Sequence, residues 1–429
     1  MNYPVVKVTK DQINNKTKIT QRRFLKNREA KDPMTYTSPF DYKWHIPFTF
    51  MTKTSIKSNI TDADVVWLTE EEKVINSSYP TGNNWILGNV QQYGVYRVNY
   101  ECENWDALIK QLNTDHKVFS AINRGQLIND AFGLAALQGM KIRIFTEAGQ
   151  LKMSVALRTL DYLTAEEEYI PWRAAIAELG YISSMLKDTE IQAICLGQQI
   201  YMYGKNEKCR QWYVRSDIAS LACSYGNTQC IEELRRLFKE YMDNDTRNPI
   251  DSGLKSTVYC TAVREGRETE WTFTYRMYKS AKAEAEKSRL LTSLACTQQP
   301  WILNKLLAMA LDDREVRQQD AYKVFIDVGR NPVGRTLAWD FFRGRWNDIF
   351  EKYGSGSFSL NDIISGVTAS FNTELQLQQL RDFGKSHANM GSGTRAFAQT
   401  IENTLANIRW MRENYVTIEN WLNTQTIPI

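Results

Sequence analysis

The sequence predicts a mostly α-helical protein: a C-terminal α-solenoid superhelix of HEAT/armadillo-like helix pairs, preceded by a small β-sandwich. Three observations predict it. Up to about residue 100, short β-branched and aromatic runs alternate with Gly, Pro, Asn and Ser clusters, the pattern of several short strands. From Asn104 the apolar residues recur at i, i+3, i+4 and i+7, which gathers them on one helix face. Breaker clusters then return at helix-pair intervals almost to the C-terminus, as in stacked antiparallel helices. The change of period falls at Gly94-Val95-Tyr96-Arg97-Val98-Asn99-Tyr100.

The candidate strands are 5–8, 20–25, 44–50, 64–68, 85–90 and 94–100. Pro47 lies inside one of them and marks it as an edge or an end, because proline cannot donate to a ladder. Residues 26–43, with two prolines and many charges, read as a long surface loop. Trp105, Leu108, Ile109 and Leu112 form the first helix face. Leu127, Ile128, Ala131, Leu134 and Ala135 form the next, and Ile231, Leu234, Phe238 and Tyr241 another. The last long segment, 394–422, carries Phe397, Ile401, Leu405, Ile408 and Trp421-Leu422. Breakers stand at Gly180, Asn227, Asn248-Pro249, Gly329 with Asn331-Pro332, and Gly354 with Gly356. No clean repeat consensus emerges.

A length of 429 residues is a prior for two or three domains, here drawn as 1–100 and 101–429. Hydrophobic residues make up 43% and charged residues 24%, ordinary for a globular chain with a sizeable core. The net charge is +4 with no dense Lys/Arg block, which excludes nucleic acid as an expected partner. No apolar run reaches the roughly 18 residues of a spanning helix. The opening residues lack a signal-peptide pattern. Two features nevertheless favour the secretory side: seven cysteines, all after the strand region, and four Asn-x-Ser/Thr sequons, at Asn15, Asn59, Asn76 and Asn244.

Catalytic motifs are missing. None of the three histidines, His45, His116 and His387, opens a His-Glu-x-x-His, so a pair of imidazoles one helical turn apart is not encoded. There is no Gly-x-Ser-x-Gly elbow and no Gly-x-x-x-x-Gly-Lys-Ser/Thr loop. Gly354-Ser355-Gly356-Ser357 and Gly391-Ser392-Gly393 read as helix connectors.

The junction heptapeptide, followed by Asn104-Trp105 and Arg124-x-Gln126-Leu127-Ile128-Asn129-Asp130-Ala131-Phe132, closely resembles the strand-to-superhelix junction of the aminopeptidase N family of zinc aminopeptidases. Other segments are similar to the family in order and spacing. They are Tyr3-Pro4-Val5-Val6-x-Val8, Trp44-x-Ile46-Pro47-Phe48-Thr49, Tyr169-Ile170-Pro171-Trp172 and Ser256-Thr257-Val258-Tyr259-Cys260. Trp301-Ile302-Leu303-Asn304, Asn331-x-x-Gly334, Trp339-x-Phe341, Gly391-Ser392-Gly393-Thr394-Arg395-Ala396 and Asn407-Ile408-x-Trp410 continue the series. Gly125 departs from it, where the family has alanine. A glycine costs a helix about 1 kcal/mol, so this helix is expected to start later here.

The resemblance implies a β-sandwich spacer and a helical cap domain whose parent is a zinc exopeptidase with the catalytic domain upstream. The chain itself carries no cofactor, and lacking both the zinc motif and the family's Gly-x-Met-Glu-Asn loop it should be inactive alone. Peptides would be the parent's substrates, its site the extracellular face of the plasma membrane, and its C-terminal domain a homodimer surface. By resemblance Cys223 pairs with Cys230 and Cys260 with Cys296, bridges worth roughly 2 and roughly 4 kcal/mol by loop entropy. Against this stands a reading of four buried free thiols. Cys195 and Cys209 fall outside the family pattern and leave open a third bridge across a helix hairpin. Cys102 is then buried and free, or bonded to something missing from this chain. Phe358, and Asp362 where the family has Asn, are candidate walls of the substrate cavity; packing of Phe358 inside a helix pair is the competing reading. A second functional class is a receptor or docking ectodomain recognised by a toxin, virus or antibody, and a third is an independent scaffold.

Overall fold

The computed structural model describes residues 3–24, 40–135, 151–192, 219–220, 222–224, 226–354 and 359–424. They fall into two units, Met1–Ser183 with Arg412–Ile429, and Ser184–Met411. The chain is mostly helical with a small N-terminal sheet region.

The strands are β1 (Pro4–Lys10), β2 (Lys16–Arg23), β3 (Ile46–Phe48), β4 (Phe50–Thr52), β5 (Val66–Leu68), β6 (Glu72–Ser78), β7 (Ile86–Gly88) and β8 (Arg97–Tyr100). Four form one sheet in the order β6-β2-β1-β8. β1 and β2 are an antiparallel hairpin with Val8 opposite Ile19. β8 runs parallel to β1, with Val5 opposite Arg97 and Val8 opposite Tyr100. Two short antiparallel ladders, β3 with β5 and β4 with β7, complete the region. Pro47 sits in a two-stranded ladder, where a missing amide costs least. Val6, Val8, Ile19, Phe48, Trp85, Ile86 and Val98 are fully buried. A Cβ on Gly88 would meet the Phe48 ring at 2.9 Å and Val98 at 3.2 Å, so β7 needs glycine to lie against the sheet.

β6 was not among the expected strands. Of its residues Glu-Lys-Val-Ile-Asn-Ser-Ser only Ile75 is buried, so the alternation that marks a strand is absent from the sequence.

The first helices are α1 (Cys102–Asp115), α2 (Ala121–Ala135), α3 (Met153–Arg158) and α4 (Tyr169–Leu186). Trp105, Leu108, Ile109 and Leu112 bury one face of α1. α2 is buried on several sides, including Arg124, Gln126 and Asp130. The expectation of a late start is wrong: α2 begins at Ala121 and runs through Gly125. The reason is packing. A Cβ on Gly125 would lie 2.8 Å from Ile170 Cγ2 and 3.2 Å from the Ile170 carbonyl oxygen. The glycine admits α4, and this close approach outweighs helix propensity.

Further on come α5 (Thr228–Asp243), α6 (Lys255–Glu265), α7 (Glu268–Ser280), α8 (Glu284–Leu294), α9 (Pro300–Met309) and α10 (Gln318–Arg330). The series ends with α11 (Arg335–Gly344), α12 (Trp346–Tyr353), α13 (Ser359–Thr368), α14 (Glu374–Ser386) and the long α15 (Thr394–Thr424). In the second unit α5 packs on α6, α6 and α7 on α8, α8 on α10, and α10 on α11 and α13. Most of these contacts join a helix to its successor or to the next but one, and α10 reaches on to α13, so packing stays among near neighbours in the chain, as in a solenoid. One continuous core runs through it, from Phe238 and Tyr259 by Leu294, Leu303 and Phe325 to Phe342, Ile363 and Phe383. No described helix is long and apolar enough to cross a membrane.

Candidate functional site

The junction motif welds β8 to the first helices. Arg97 Nη1 lies 3.2 Å from Asp130 Oδ1 and donates to Asn129 Oδ1 at 2.8 Å, while its Nε donates to Tyr3 Oη at 3.0 Å. Asp130 Oδ2 accepts the Val98 N–H at 3.1 Å. The neighbouring Asn99 Oδ1 takes the Trp105 indole N–H at 3.0 Å. Asn104 clamps Ile86 with both side-chain atoms, each at 2.9 Å. A little further on, Arg124 grips Glu166 bidentately at 2.6 and 2.7 Å, and Trp172 Nε1 donates to the Glu166 carbonyl at 3.1 Å.

These contacts give the polar residues of the junction a mechanical role. Burial lifts the Asp130 carboxyl to about 6, against the pull of Arg97 and the Val98 amide. That value would suit a general acid, but Asp130 is 5% exposed and both its oxygens meet internal partners, so it is not placed to give a proton to a substrate. Burial also pushes Glu166 up, yet the hydrogen bonds from Arg124 and the Glu168 amide outweigh it and hold the carboxyl below its usual range.

The loop before β8 is held as firmly. Asn89, Gln91 and Gln92 all take left-handed φ, at 55°, 59° and 51°. The Gln91 N–H donates to Asn123 Oδ1 at 2.7 Å, and Asn89 bridges Gly94 and Tyr96. Such a backbone persists only where its surroundings enforce it.

In the second unit the disulfides Cys223–Cys230 and Cys260–Cys296 are both formed. Cys260–Cys296 ties α6 to the end of α8 and lines two cavities, of about 490 and 710 Å³. The smaller has a polar wall of Ser256, Thr257, Thr261, Ser288, Thr292 and Arg264. Arg264 is already engaged: it donates to the Cys223 carbonyl at 2.6 Å and to Ser224 Oγ at 3.0 Å, fastening the short disulfide loop to α6. Sequence reasoning passed this wall over. Its signal is hydroxyls at i, i+4, as in Thr257 with Thr261 and Ser288 with Thr292.

Asp362 is exposed in the first turn of α13. Phe358, Cys195 and Cys209 lie outside the described residues. Cys102 is exposed, not buried, and is the free cysteine among the described residues. Asn15, Asn59, Asn76 and Asn244 are all exposed. The histidines occupy separate surroundings. His387 stacks on Phe383 at 4.2 Å, His116 lies 5.4 Å from the Tyr162 ring, and His45 is exposed. Among the described residues no group of three or more His, Cys, Asp or Glu is placed to hold a metal ion. Zinc therefore finds no donor set among them.

A small sheet welded to its first helices by polar contacts, and a second, all-helical unit further along the chain, are the two parts set against known families. Residues 85–406 match the family described as ERAP1-like C-terminal domain. The chain belongs to that family. It is 35% identical over 438 residues to aminopeptidase N of Homo sapiens, covering 98% of this chain. Aminopeptidase N of Rattus norvegicus is 36% identical over 441 residues, and the thyrotropin-releasing hormone-degrading ectoenzyme of the same species 33% over 440. The chain spans 43% of the length of the two aminopeptidases N and 40% of the ectoenzyme.

Proposed function

We propose that this chain is the non-catalytic C-terminal portion of an aminopeptidase N-like zinc exopeptidase that removes N-terminal residues from peptides. Residues 1–100 serve as the spacer and 101–429 as the helical domain. The helical domain caps the active site of an upstream catalytic domain, restricts substrate size and provides a homodimer surface. Phe358 and Asp362 belong to the wall of the peptide chamber. The parent works at the extracellular face of the plasma membrane and holds zinc through residues of its catalytic domain. The observation that carries this reading is the match of 98% of the chain to 43% of aminopeptidase N. The two disulfides support an oxidising compartment.

The test has two arms. The purified chain, supplied with zinc, is assayed on alanine and leucine anilides; no turnover is expected, and chelator-sensitive turnover would overturn the reading. The longer protein is then compared with a version lacking the helical domain. Loss of the cap should raise its rate on long peptides relative to anilides. An unchanged ratio would remove the size-filter role.

A further inference from the structure

The four-stranded sheet ends on an open edge. β6 is hydrogen-bonded to β2 on one side, and among the described residues no strand pairs with the other. Such an edge offers unpaired N–H and C=O groups to any passing strand. Val74 on this strand is 43% exposed, which adds an apolar foothold.

The same strand carries the sequon Asn76-Ser77-Ser78. Lys16 pairs with Ser78 while the next residue, Thr17, pairs with Ile75, so Asn76 and Ser77 are the residues bulged out of the ladder. Asn76 is exposed, and its side-chain oxygen accepts from Lys16 Nζ at a long 3.4 Å. Ser78, whose hydroxyl completes the sequon, is exposed too. Asn15 lies at the same end of the sheet, its carbonyl accepting the Tyr79 N–H at 3.0 Å. Its own sequon ends in Thr17, which is 0% exposed, so unlike Ser78 that hydroxyl is packed away once the chain has folded.

We propose that an N-linked glycan on Asn76 covers the free edge of β6 and keeps the sheet from pairing with a second copy of the chain. A bulky, hydrated oligosaccharide rooted in the bulge blocks strand addition sterically, where charge alone leaves Val74 open. The inference rests on the extracellular reading above, since the modification requires the secretory route.

Glycan occupancy is read by peptide mass spectrometry on the protein from its native source and on the 429-residue chain secreted from a eukaryotic host. Self-association of the secreted chain is followed by sedimentation velocity. Asn76 should be occupied in both. Asn76→Gln and Ser78→Ala should each lose that glycan and self-associate at about tenfold lower concentration than wild type. Adding Val74→Lys to Asn76→Gln should restore the wild-type behaviour, and Asn59→Gln should not change it. A bare Asn76 beside occupied Asn59 or Asn244 overturns the inference alone, as does an Asn76→Gln chain that sediments like wild type. A native protein with no glycan on any sequon overturns the extracellular reading and the inference with it.

Discussion

Arg97 and Asp130 face each other across the end of β8, Nη1 to Oδ1 at 3.2 Å, while Oδ2 of the same carboxylate takes the Val98 N–H. One side chain of α2 thus fixes both the strand's backbone and its half-buried cation. Asp130→Ala leaves that guanidinium and that amide short of a partner. Breaking a buried pair in this way costs about 3 kcal/mol. Urea unfolding monitored by tryptophan fluorescence should show the loss, and a change below about 0.5 kcal/mol would mean the weld contributes little.

The two buried carboxylates should give opposite pH dependences. Asp130 in the folded chain is raised to about 6 from the usual 3.8. Between those values the unfolded chain has released a proton that the folded chain retains. Stability from this group therefore falls as pH rises from about 4 to 6, by about 3 kcal/mol at most, and is flat above. Glu166 is depressed below its usual 4.5, so its contribution is present above that value and is lost as pH falls through the folded pKa. Asp130→Asn should flatten the limb between pH 4 and 6, and Glu166→Gln the acid limb below it. Unfolding midpoints measured from pH 3 to 8 decide the matter, and identical profiles for both variants and wild type would refute the assignment.

The two disulfides should differ in worth. Cys260–Cys296 closes a loop with a sequence separation of 36, and Cys223–Cys230 one of 7. Loop entropy assigns them roughly 4 and roughly 2 kcal/mol. Paired serine substitutions, Cys260→Ser with Cys296→Ser and Cys223→Ser with Cys230→Ser, should rank in that order by calorimetry. The reverse order would mean that Arg264, held on the Cys223 carbonyl, makes the short loop the more important clasp.

Gly125→Ala restores the residue typical of the resembling family and gains about 1 kcal/mol of helix propensity. The new methyl, however, would stand 2.8 Å from Ile170 Cγ2. Overpacking of this kind costs about 1–3 kcal/mol, so the net effect should be a loss of about 1 kcal/mol. Ile170 is 42% exposed, so Ile170→Ala alone should be mild and should relieve the clash in the double variant. A stabilised single variant would show that α4 moves aside at no cost.

What the sequence reveals follows from the range of the interaction. The faces of α1, α2 and α5 are local patterns, and Trp105, Leu108, Phe238 and Tyr241 are buried as their spacing predicts. β6 stays hidden because Ile75 alone faces inward. Gly125 misleads because propensity is local while its contact with Ile170 is tertiary. The weld itself is invisible for the same reason: Arg124 meets Glu166 across 42 residues of chain and Arg97 meets Asp130 across 33. Nor do Gln91 and Gln92 advertise left-handed backbone, which glutamine seldom adopts, whereas Asn89 is of a type that does. Of the two residues proposed for the chamber wall, Asp362 lies among the described residues and Phe358 outside them.

Asp362 offers the most direct test of the proposed chamber. It is exposed at the start of α13, where a carboxylate is compatible with the helix N-terminus and free to face a ligand. If it borders the far end of a bound peptide, it opposes the peptide's own C-terminal carboxylate through solvent. Screened repulsion of that size is below 1 kcal/mol. Asp362→Asn in the longer protein should then lower KM for a short peptide about threefold relative to the same peptide with an amidated C-terminus. The kcat should not move, because Asp362 is assigned no part in the bond-breaking step. High salt should erase the difference in the wild type, since an exposed pair is screened. An unchanged KM ratio at low salt would remove Asp362 from the wall and leave it as a helix-terminal acid.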